Sequence, residues 1–307
     1  MPAWRALRFD FTAMASPCEL VIEGRDEPAM RAAAAAAIDE VRRIEAKYSR
    51  YLPGSVLSRI NAAAGARAVD IDAETSSLLD FAGTLWETSG GLFDATSGVL
   101  RRAWNFAQAR LPRAGELDAL LPLVGWDLVE RGAASVRLPL PGMELDFGGF
   151  GKEYAADRAA GILHARGMAH ALVNLGGDVH VAGPHGLPDA AGQPWQVAIA
   201  RPRPGPPGPL ATIPVLRGGV ATSGDYERYF EQGGRRYCHV LEPRTGWPVQ
   251  GWQSISVWAP NTTAAGALCT VALLKQQEAL DWLDGQDAGY LAVRSDGEVF
   301  RRAAGTQ

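Results

Sequence analysis

The stretch Leu145-Asp-Phe-Gly-Gly-Phe-Gly-Lys-Glu-Tyr-Ala-Ala-Asp157 decides the fold. An apolar approach ends at Asp146, three glycines follow within four residues, and a helical pattern begins at Lys152. This order predicts a strand, a tight turn and the start of a helix. Glycines let the backbone approach a ligand closely, and the free N–H groups of a new helix favour anionic groups. We therefore expect Asp146 and Lys152 to face one pocket. A plain turn whose glycines need positive φ is the alternative.

Two familiar glycine-rich motifs do not fit this stretch. A P-loop needs Gly, four residues and then Gly-Lys-Ser/Thr, whereas here Glu153 follows Lys152 and Asp146 occupies the first Gly position. Asp146-Phe147-Gly148 matches the metal-binding triplet of protein kinases, but the chain has neither the His-Arg-Asp loop nor the other kinase motifs. The sequence therefore excludes a P-loop nucleotidase and a kinase.

The composition indicates a folded protein with many loops. The chain has 307 residues and a net charge of −4, with both signs interspersed, so nucleic acid is not expected as its main partner. Its 35 glycines and 20 prolines punctuate apolar segments and do not form low-complexity runs. This pattern favours an α+β fold over disorder.

The cysteines and the amino-terminal residues indicate in which cellular compartment the protein is expected. Cys18, Cys238 and Cys269 are far apart and odd in number, which predicts reduced thiols and no disulfide framework. The first residues lack the apolar core of a signal peptide, and no stretch is long and apolar enough for a membrane span. We therefore expect a cytoplasmic protein without stable membrane insertion.

Glycine-rich turns recur at the ends of apolar runs between Gly90 and Gly246. Their convergence on one cleft would create a site for a long, partly anionic ligand. Asp94, within one of these turns, would either face that ligand or cap the following helix. Hydrophobic periodicity and capping residues predict helices over residues 27–48, 72–89, 152–166 and 262–274.

Hydrolytic chemistries of two kinds are disfavoured. None of the five histidines has a partner at His-Glu-x-x-His spacing, and no Gly-x-Ser-x-Gly elbow is present. His239, in an apolar run that leads into a Pro/Thr/Gly turn, is either a proton-transfer residue or a histidine with a purely structural role.

Seven motifs, taken in order, resemble those of the ApbE family, the FAD:protein FMN transferases. They are Met14 with its loop and residues 48–61, 90–98, 146–157, 174–178, 221–226 and 239–246. The resemblance implies an α+β, T-fold-like architecture. It also implies a single domain over residues 1–307 with two lobes, whose boundary the sequence does not define, and a flavin cleft between them.

The resemblance implies cleavage of a phosphoanhydride. FAD is split, AMP leaves, and FMN is joined through its phosphate to a Thr or Ser of an acceptor protein that carries the flavinylation site. Three alternatives remain open at this point: a relative that binds FAD without catalysis, an FAD pyrophosphatase that releases FMN and AMP, and a flavin-dependent oxidoreductase.

By similarity, eight residues fall on positions that contact FAD: Met14, Tyr51, Leu92, Phe93, Asp94, Asp146, Lys152 and Leu241. Tyr51 and Met14 offer stacking or apolar surface, and Lys152 can counter phosphate charge. His239 falls where proton transfer or phosphate contact is plausible, with the hydroxyls of Thr222 and Ser223 beside it.

The metal site departs from the family pattern. Relatives bind magnesium through a backbone carbonyl, here that of Gly149, and through an Ala-Asp-x-x-x-Thr segment. In this chain that segment keeps Thr270, but Gly266 stands where the Asp belongs. Glu153, where many relatives have Gly, is a smaller departure. We therefore expect magnesium to bind weakly, to be held partly by the FAD phosphates, or not to bind. Whether Asp178 or Asp225 supplies the missing carboxylate is open.

Overall fold

The computed structural model describes residues 2–303, and within them eight strands form one antiparallel sheet. Its strand order is β1-β2-β6-β7-β10-β13-β14-β15. These strands are β1 Arg5–Ala13, β2 Ser16–Gly24, β6 Ala171–Leu175, β7 Asp178–Val181, β10 Gly218–Gly224, β13 Trp252–Ala259, β14 Gly289–Arg294 and β15 Val299–Arg302.

Smaller sheets flank the large one. They are built from β3 Val69–Asp70, β4 Glu130–Arg131 and β5 Ser135–Arg137, from β8 Trp195–Ile199 and β9 Ala211–Val215, and from β11 Tyr229–Gln232 and β12 Arg235–Cys238. The helices are α1 Glu27–Tyr48, α2 Val56–Ala62, α3 Ala73–Ser89, α4 Glu116–Leu120, α5 Gly151–Ala165, α6 Thr262–Lys275 and α7 Ala279–Asp284.

Both faces of the large sheet are covered. α5 packs against α1 and α6, and α6 packs on β10 and β13. Alternate residues of the strands face opposite ways, so Ala221 joins the core under the helices while Val220 packs with the β8–β9 hairpin. Helices on one face of an antiparallel sheet confirm the predicted α+β class. The division into two lobes remains a prediction.

Local signals determine where the helices begin. Asp26 caps α1 by accepting from the Ala29 N–H at 3.1 Å, and Asn261 caps α6 by accepting from the Ala264 N–H at 2.8 Å. The helices predicted over residues 27–48 and 262–274 are confirmed within one residue at each end. No helix within residues 2–303 has the length and apolar character that crossing a membrane demands.

The approach to the glycine turn was predicted wrongly. Residues 144–147 form no strand. Instead, the Asn61 side chain accepts from the Leu145 N–H at 2.7 Å and donates to its carbonyl at 3.0 Å, and the Asp146 N–H donates to Ala95 O at 2.8 Å. A side-chain amide thus satisfies the backbone groups that a neighbouring strand would otherwise pair.

The glycines of this turn are not needed for positive φ, which was the alternative considered above. Gly148, Gly149 and Gly151 all lie outside the left-handed region. A Cβ on Gly149 would lie 2.6 Å from the Phe93 ring, so glycine is required there for close packing. That contact sets the turn against the loop containing residues 91–98.

Candidate functional site

Asp146 is held by an arginine that the sequence did not single out. Arg50 forms an ion pair with Asp146, and its Nη2 donates to the Tyr51 hydroxyl at 3.0 Å. The Tyr51 side chain is 70% exposed, with the guanidinium 5.1 Å from its ring centroid. Arg50 lies between Tyr48 and Tyr51 in the family-like motif at residues 48–61, and that position was the signal available in the sequence. Tyr51 therefore presents an open ring face beside a neutralised carboxylate.

Lys152 forms a buried ion pair at the start of α5. Its Nζ lies 2.8 Å from Asp178 Oδ2 and 3.3 Å from Gly176 O. Burial alone would lower the pKa of Lys152, but the Asp178 carboxylate more than offsets it and leaves that pKa raised. Burial raises the pKa of Asp178 despite the ion pair. The lysine is therefore charged and fixed in place.

Two tight turns bring the connection between β1 and β2, which contains Met14, close to this pair. Met14 and Ala15 have φ of 51° and 57° and connect β1 to β2, and the Met14 N–H donates to Glu45 Oε1 at 2.7 Å. Gly176, with φ of 61°, lies so close that a Cβ there would be 2.7 Å from Ser16 Cβ and 3.3 Å from Lys152 Nζ. The Met14 turn and Lys152 therefore share one end of the sheet.

Asp94 lies inside the protein. Its Oδ1 accepts from the Thr96 N–H at 2.7 Å and the Thr96 hydroxyl at 2.6 Å, and its Oδ2 accepts from the Trp126 N–H at 2.9 Å. Burial raises the pKa of this carboxyl. Leu92 is half-buried and Phe93 is buried beside it. Asp94 thus holds two loops together, and its contact with a ligand stays a prediction.

Two hydroxyl groups meet where β10 contacts α6, because Ser223 Oγ is 3.4 Å from Thr270 Oγ1. Thr222, the neighbouring residue on β10, faces the other side of the sheet, and its Oγ1 is 2.8 Å from Ser256 Oγ on β13. A Cβ on Gly149 would lie 3.8 Å from Thr270 Cγ2, so the two predicted metal-binding positions are neighbours. Cys269 is buried, its Sγ donates to Ala221 O at 3.1 Å, and burial raises its pKa far above the usual value. The thiol of Cys269 is therefore neutral and hydrogen-bonded within the core, so it does not serve as a metal ligand.

Glu153 is the residue that sequence reasoning undervalued. It is 7% exposed, and its Oε2 is buried without a hydrogen-bond partner among residues 2–303. Burial first, and then the nearby charge of Asp178, raise the pKa of Glu153. A Cβ on Gly266 would lie 2.6 Å from Glu153 Oε1. The sequence did contain a signal for this contact. Glu153 adds a carboxylate where many relatives have Gly, and Gly266 lacks the carboxylate that relatives have.

Asp178 and Asp225, the two acids considered as replacements for the missing metal ligand, both already have ion-pair partners. Asp178 is engaged by Lys152, as described above. Asp225 accepts from Arg203 Nη1 at 2.7 Å and Nη2 at 2.6 Å, and Arg236 lies 3.6 Å away. No group of three His, Cys, Asp or Glu side chains in the described part of the chain could hold a metal ion by itself. Any metal site here therefore also needs backbone or hydroxyl oxygens.

His239 follows β12 directly. Its N–H donates to Arg228 O at 3.0 Å, and its side chain is exposed. Partial desolvation on the side of the ring that faces the protein lowers the pKa of its imidazole, and the charges of Arg228 and Lys152 lower it further against the opposing charge of Glu227. The ring is therefore neutral near pH 7 and able to accept a proton.

The segment after His239 packs against the loop that holds residues 90–104. Leu241 is half-buried in an apolar cluster with Leu100 and Trp104. Trp104 Nε1 donates to Gly246 O at 2.8 Å, and Arg244 Nη2 donates to Gly90 O at 2.6 Å. The sequence motifs 90–98 and 239–246 are therefore in direct contact.

A surface hollow of about 640 Å³ lies elsewhere. Its lining includes Glu40, Arg43, Glu74 and Tyr154, and none of the sequence-predicted site residues. Some of the predicted residues are joined instead by the contacts described above, which run from Tyr51 through the 146–153 turn to Lys152 and to Thr270 with Ser223. His239, Leu241 and Thr222 lie outside this run of contacts, and one ligand site that includes them stays a prediction.

Comparisons with known proteins agree with this architecture. The model of the ApbE family matches residues 14–293. An FAD:protein FMN transferase of Rhodobacter capsulatus is 33% identical over 296 residues, which are 92% of this chain and 54% of that protein. Its counterpart in Treponema pallidum is 35% identical over 72% of this chain and 65% of its own length. The chain thus spans about half of the first relative and under two thirds of the second.

A solved structure extends the match to three dimensions. The crystal structure of the ApbE protein from Thermotoga maritima superimposes with a TM-score of 0.87 at 31% identity, covering 97% of both chains.

Proposed function

This chain belongs to the ApbE family, and from that membership we propose that it is an FAD:protein FMN transferase. It cleaves the pyrophosphate of FAD, releases AMP and transfers FMN to a Thr or Ser of an acceptor protein. The family match over residues 14–293 carries this proposal, because that range contains every residue assigned here to the site.

The residues at the end of the sheet suit a dinucleotide substrate. Tyr51 offers an exposed ring on which a flavin or adenine can stack, and Met14 adds half-buried apolar surface. Lys152, fixed by Asp178, brings a permanent positive charge to the phosphates. Binding of the dinucleotide therefore orients the pyrophosphate near the hydroxyls of Ser223 and Thr270.

Phosphoryl transfer requires a proton acceptor for the attacking hydroxyl. The acceptor Thr or Ser oxygen forms a bond to the FMN phosphorus, the bond between that phosphorus and the bridging oxygen breaks, and AMP leaves with the bridging oxygen. Neutral His239 accepts the proton of the attacking hydroxyl. Ser223 can donate a hydrogen bond to a phosphate oxygen, where negative charge increases during the reaction, whereas Thr222 lies on the opposite face of β10 and takes no part in this contact.

The residues present fit a magnesium ion. Gly149 offers a backbone carbonyl and Thr270 a hydroxyl, and these two residues are neighbours. Glu153 Oε2 is a buried oxygen that lacks a partner within residues 2–303, and oxygen ligands are those that magnesium prefers. When bound, the ion neutralises negative charge on the pyrophosphate.

The proposal is tested by incubating the protein with FAD, with and without magnesium, and with a pool of synthetic peptides that each carry one Thr or Ser. AMP is measured by chromatography and flavinylated peptide by mass spectrometry. We expect both products only in the complete mixture. Free FMN with AMP and no flavinylated peptide would indicate a pyrophosphatase, and bound FAD without AMP would indicate a binding protein.

A further inference from the structure

We propose that Glu153, at the start of α5, supplies the carboxylate ligand of a divalent-cation site whose other oxygens come from Gly149 and Thr270. The position on α6 that faces this carboxylate is Gly266, which has no side chain to contribute. The inference rests on the proposed function only for the choice of magnesium as the physiological ion. Cation binding itself can be measured independently of FAD.

The first observation is the unpartnered oxygen. Glu153 is more than nine-tenths buried, and no donor in the described part of the chain reaches its Oε2. A buried carboxylate without a hydrogen-bond donor or cation is strongly unfavourable, so such groups occur mainly where a ligand completes them. A divalent cation is a ligand that a carboxylate oxygen suits directly.

The second observation is the fit between Glu153 and Gly266. A Cβ at position 266 would lie 2.5 Å from Glu153 Cγ and 2.6 Å from its Oε1. A side chain on α6 and the Glu153 side chain therefore compete for one space. Since the glycine leaves that space free, the carboxylate from α5 reaches the point that an acid at position 266 would otherwise occupy.

The third observation is that the neighbouring acids already have partners. Asp178 pairs with Lys152 at 2.8 Å. Asp157 accepts from the N–H groups of Thr262 and Thr263, both at 2.8 Å, and lies 2.6 Å from His180 Nδ1. Lys152 contacts Asp178 and acts on Glu153 only through its charge, and a bound divalent ion would supply the contacting cation that Glu153 lacks.

The test measures binding of Mn²⁺, as a paramagnetic substitute for Mg²⁺, to the FAD-free protein by electron paramagnetic resonance of the free ion. Glu153→Gln keeps the shape and removes the charge. The double variant Glu153→Gly with Gly266→Asp moves the carboxylate from α5 to α6. Glu227→Gln is the control, because this exposed carboxylate acts on Lys152 and His239 only through its charge.

We expect Glu153→Gln to weaken Mn²⁺ binding at least about tenfold, the double variant to restore it to within roughly threefold, and the control to change it less than threefold. Circular dichroism and thermal unfolding establish that each variant is folded. Unchanged Mn²⁺ binding in folded Glu153→Gln, or no Mn²⁺ binding by the parent protein, would overturn the inference. So would a folded double variant that does not recover.

The two proposals fail separately. If Mn²⁺ binds through Glu153 but the protein releases no AMP from FAD, the cation site stands and the transferase activity does not. If AMP is released at equal rates by the parent and Glu153→Gln, and Mn²⁺ affinity is also equal, the activity stands and the role of Glu153 does not.

Discussion

Glu74 and Glu153 both lie close to α5, yet their surroundings are opposite. Glu74 accepts from Arg43 Nη2 at 2.6 Å, Lys47 Nζ at 2.5 Å and the Tyr154 hydroxyl at 2.9 Å. The hydrogen bonds from Arg43, followed by those from Lys47 and Tyr154, lower the pKa of Glu74 to about 2. Glu153, the residue before Tyr154, has an oxygen with no partner in the described chain and a raised pKa.

The comparison separates a carboxylate that stabilises the fold from one whose partner is a ligand. Every oxygen of Glu74 is used within the protein, so its charge contributes to folding. Glu153 destabilises the ligand-free protein, because a polar carboxyl group is buried with one of its oxygens unpartnered. Acids kept in such surroundings are concentrated at functional sites. The site around residues 146–153 should therefore respond to mutation in activity, and the Glu74 cluster in stability.

The largest expected effect concerns His239. His239→Ala should lower AMP release about 100- to 10,000-fold, since it removes the proton acceptor, while FAD binding and the melting temperature stay nearly unchanged because the side chain is exposed. His164→Ala, an exposed histidine on α5, is the matched control and should retain full activity. Equal AMP release by the parent and His239→Ala would remove His239 from the mechanism.

Next in size is the effect of replacing the unpartnered, buried carboxyl group of Glu153. Glu153→Met should raise the free energy of unfolding of the metal-free protein by about 1–3 kcal/mol, because a side chain of similar volume replaces a buried carboxylate. Urea denaturation in the presence of a chelator measures this. A lower unfolding free energy would mean that Glu153 is satisfied within the fold and does not differ from Glu74.

The smallest effect is expected at Glu74, whose side chain is 21% exposed. Glu74→Gln should lower the free energy of unfolding by about 1–2 kcal/mol at pH 7 and leave AMP release unchanged. Glu87→Gln, an exposed change on α3, is the control.

The pH dependence of this loss sharpens the contrast. Because the folded-state pKa of Glu74 is depressed to about 2 from an ordinary 4.5, its stabilisation is fully present above pH 4.5. It disappears as the pH falls through 2. Urea denaturation of the parent and Glu74→Gln at several pH values follows this change, and a difference that persisted at pH 2 would contradict the assignment.

Much of the fold follows from local sequence signals. Asp26 and Asn261 cap their helices and alanine- or leucine-rich periodic segments follow, so α1 and α6 are predictable within one residue. Residues 144–147 were mispredicted because an apolar run favours a strand, whereas Asn61, distant in sequence, provides the hydrogen bonds. Local pattern does not encode such a partner.

The candidate site likewise divides into features that the sequence determined and features that only the tertiary structure decided. The sequence by itself determined the motifs, their family resemblance and the absence of an acid at position 266. Only the tertiary structure decided that Glu153 fills the space above Gly266 and that Asp178 is occupied by Lys152. The physical reason is that helix boundaries depend on residues within a few positions of each other. By contrast, the meeting of two side chains from different elements depends on how α5, α6 and the sheet pack together.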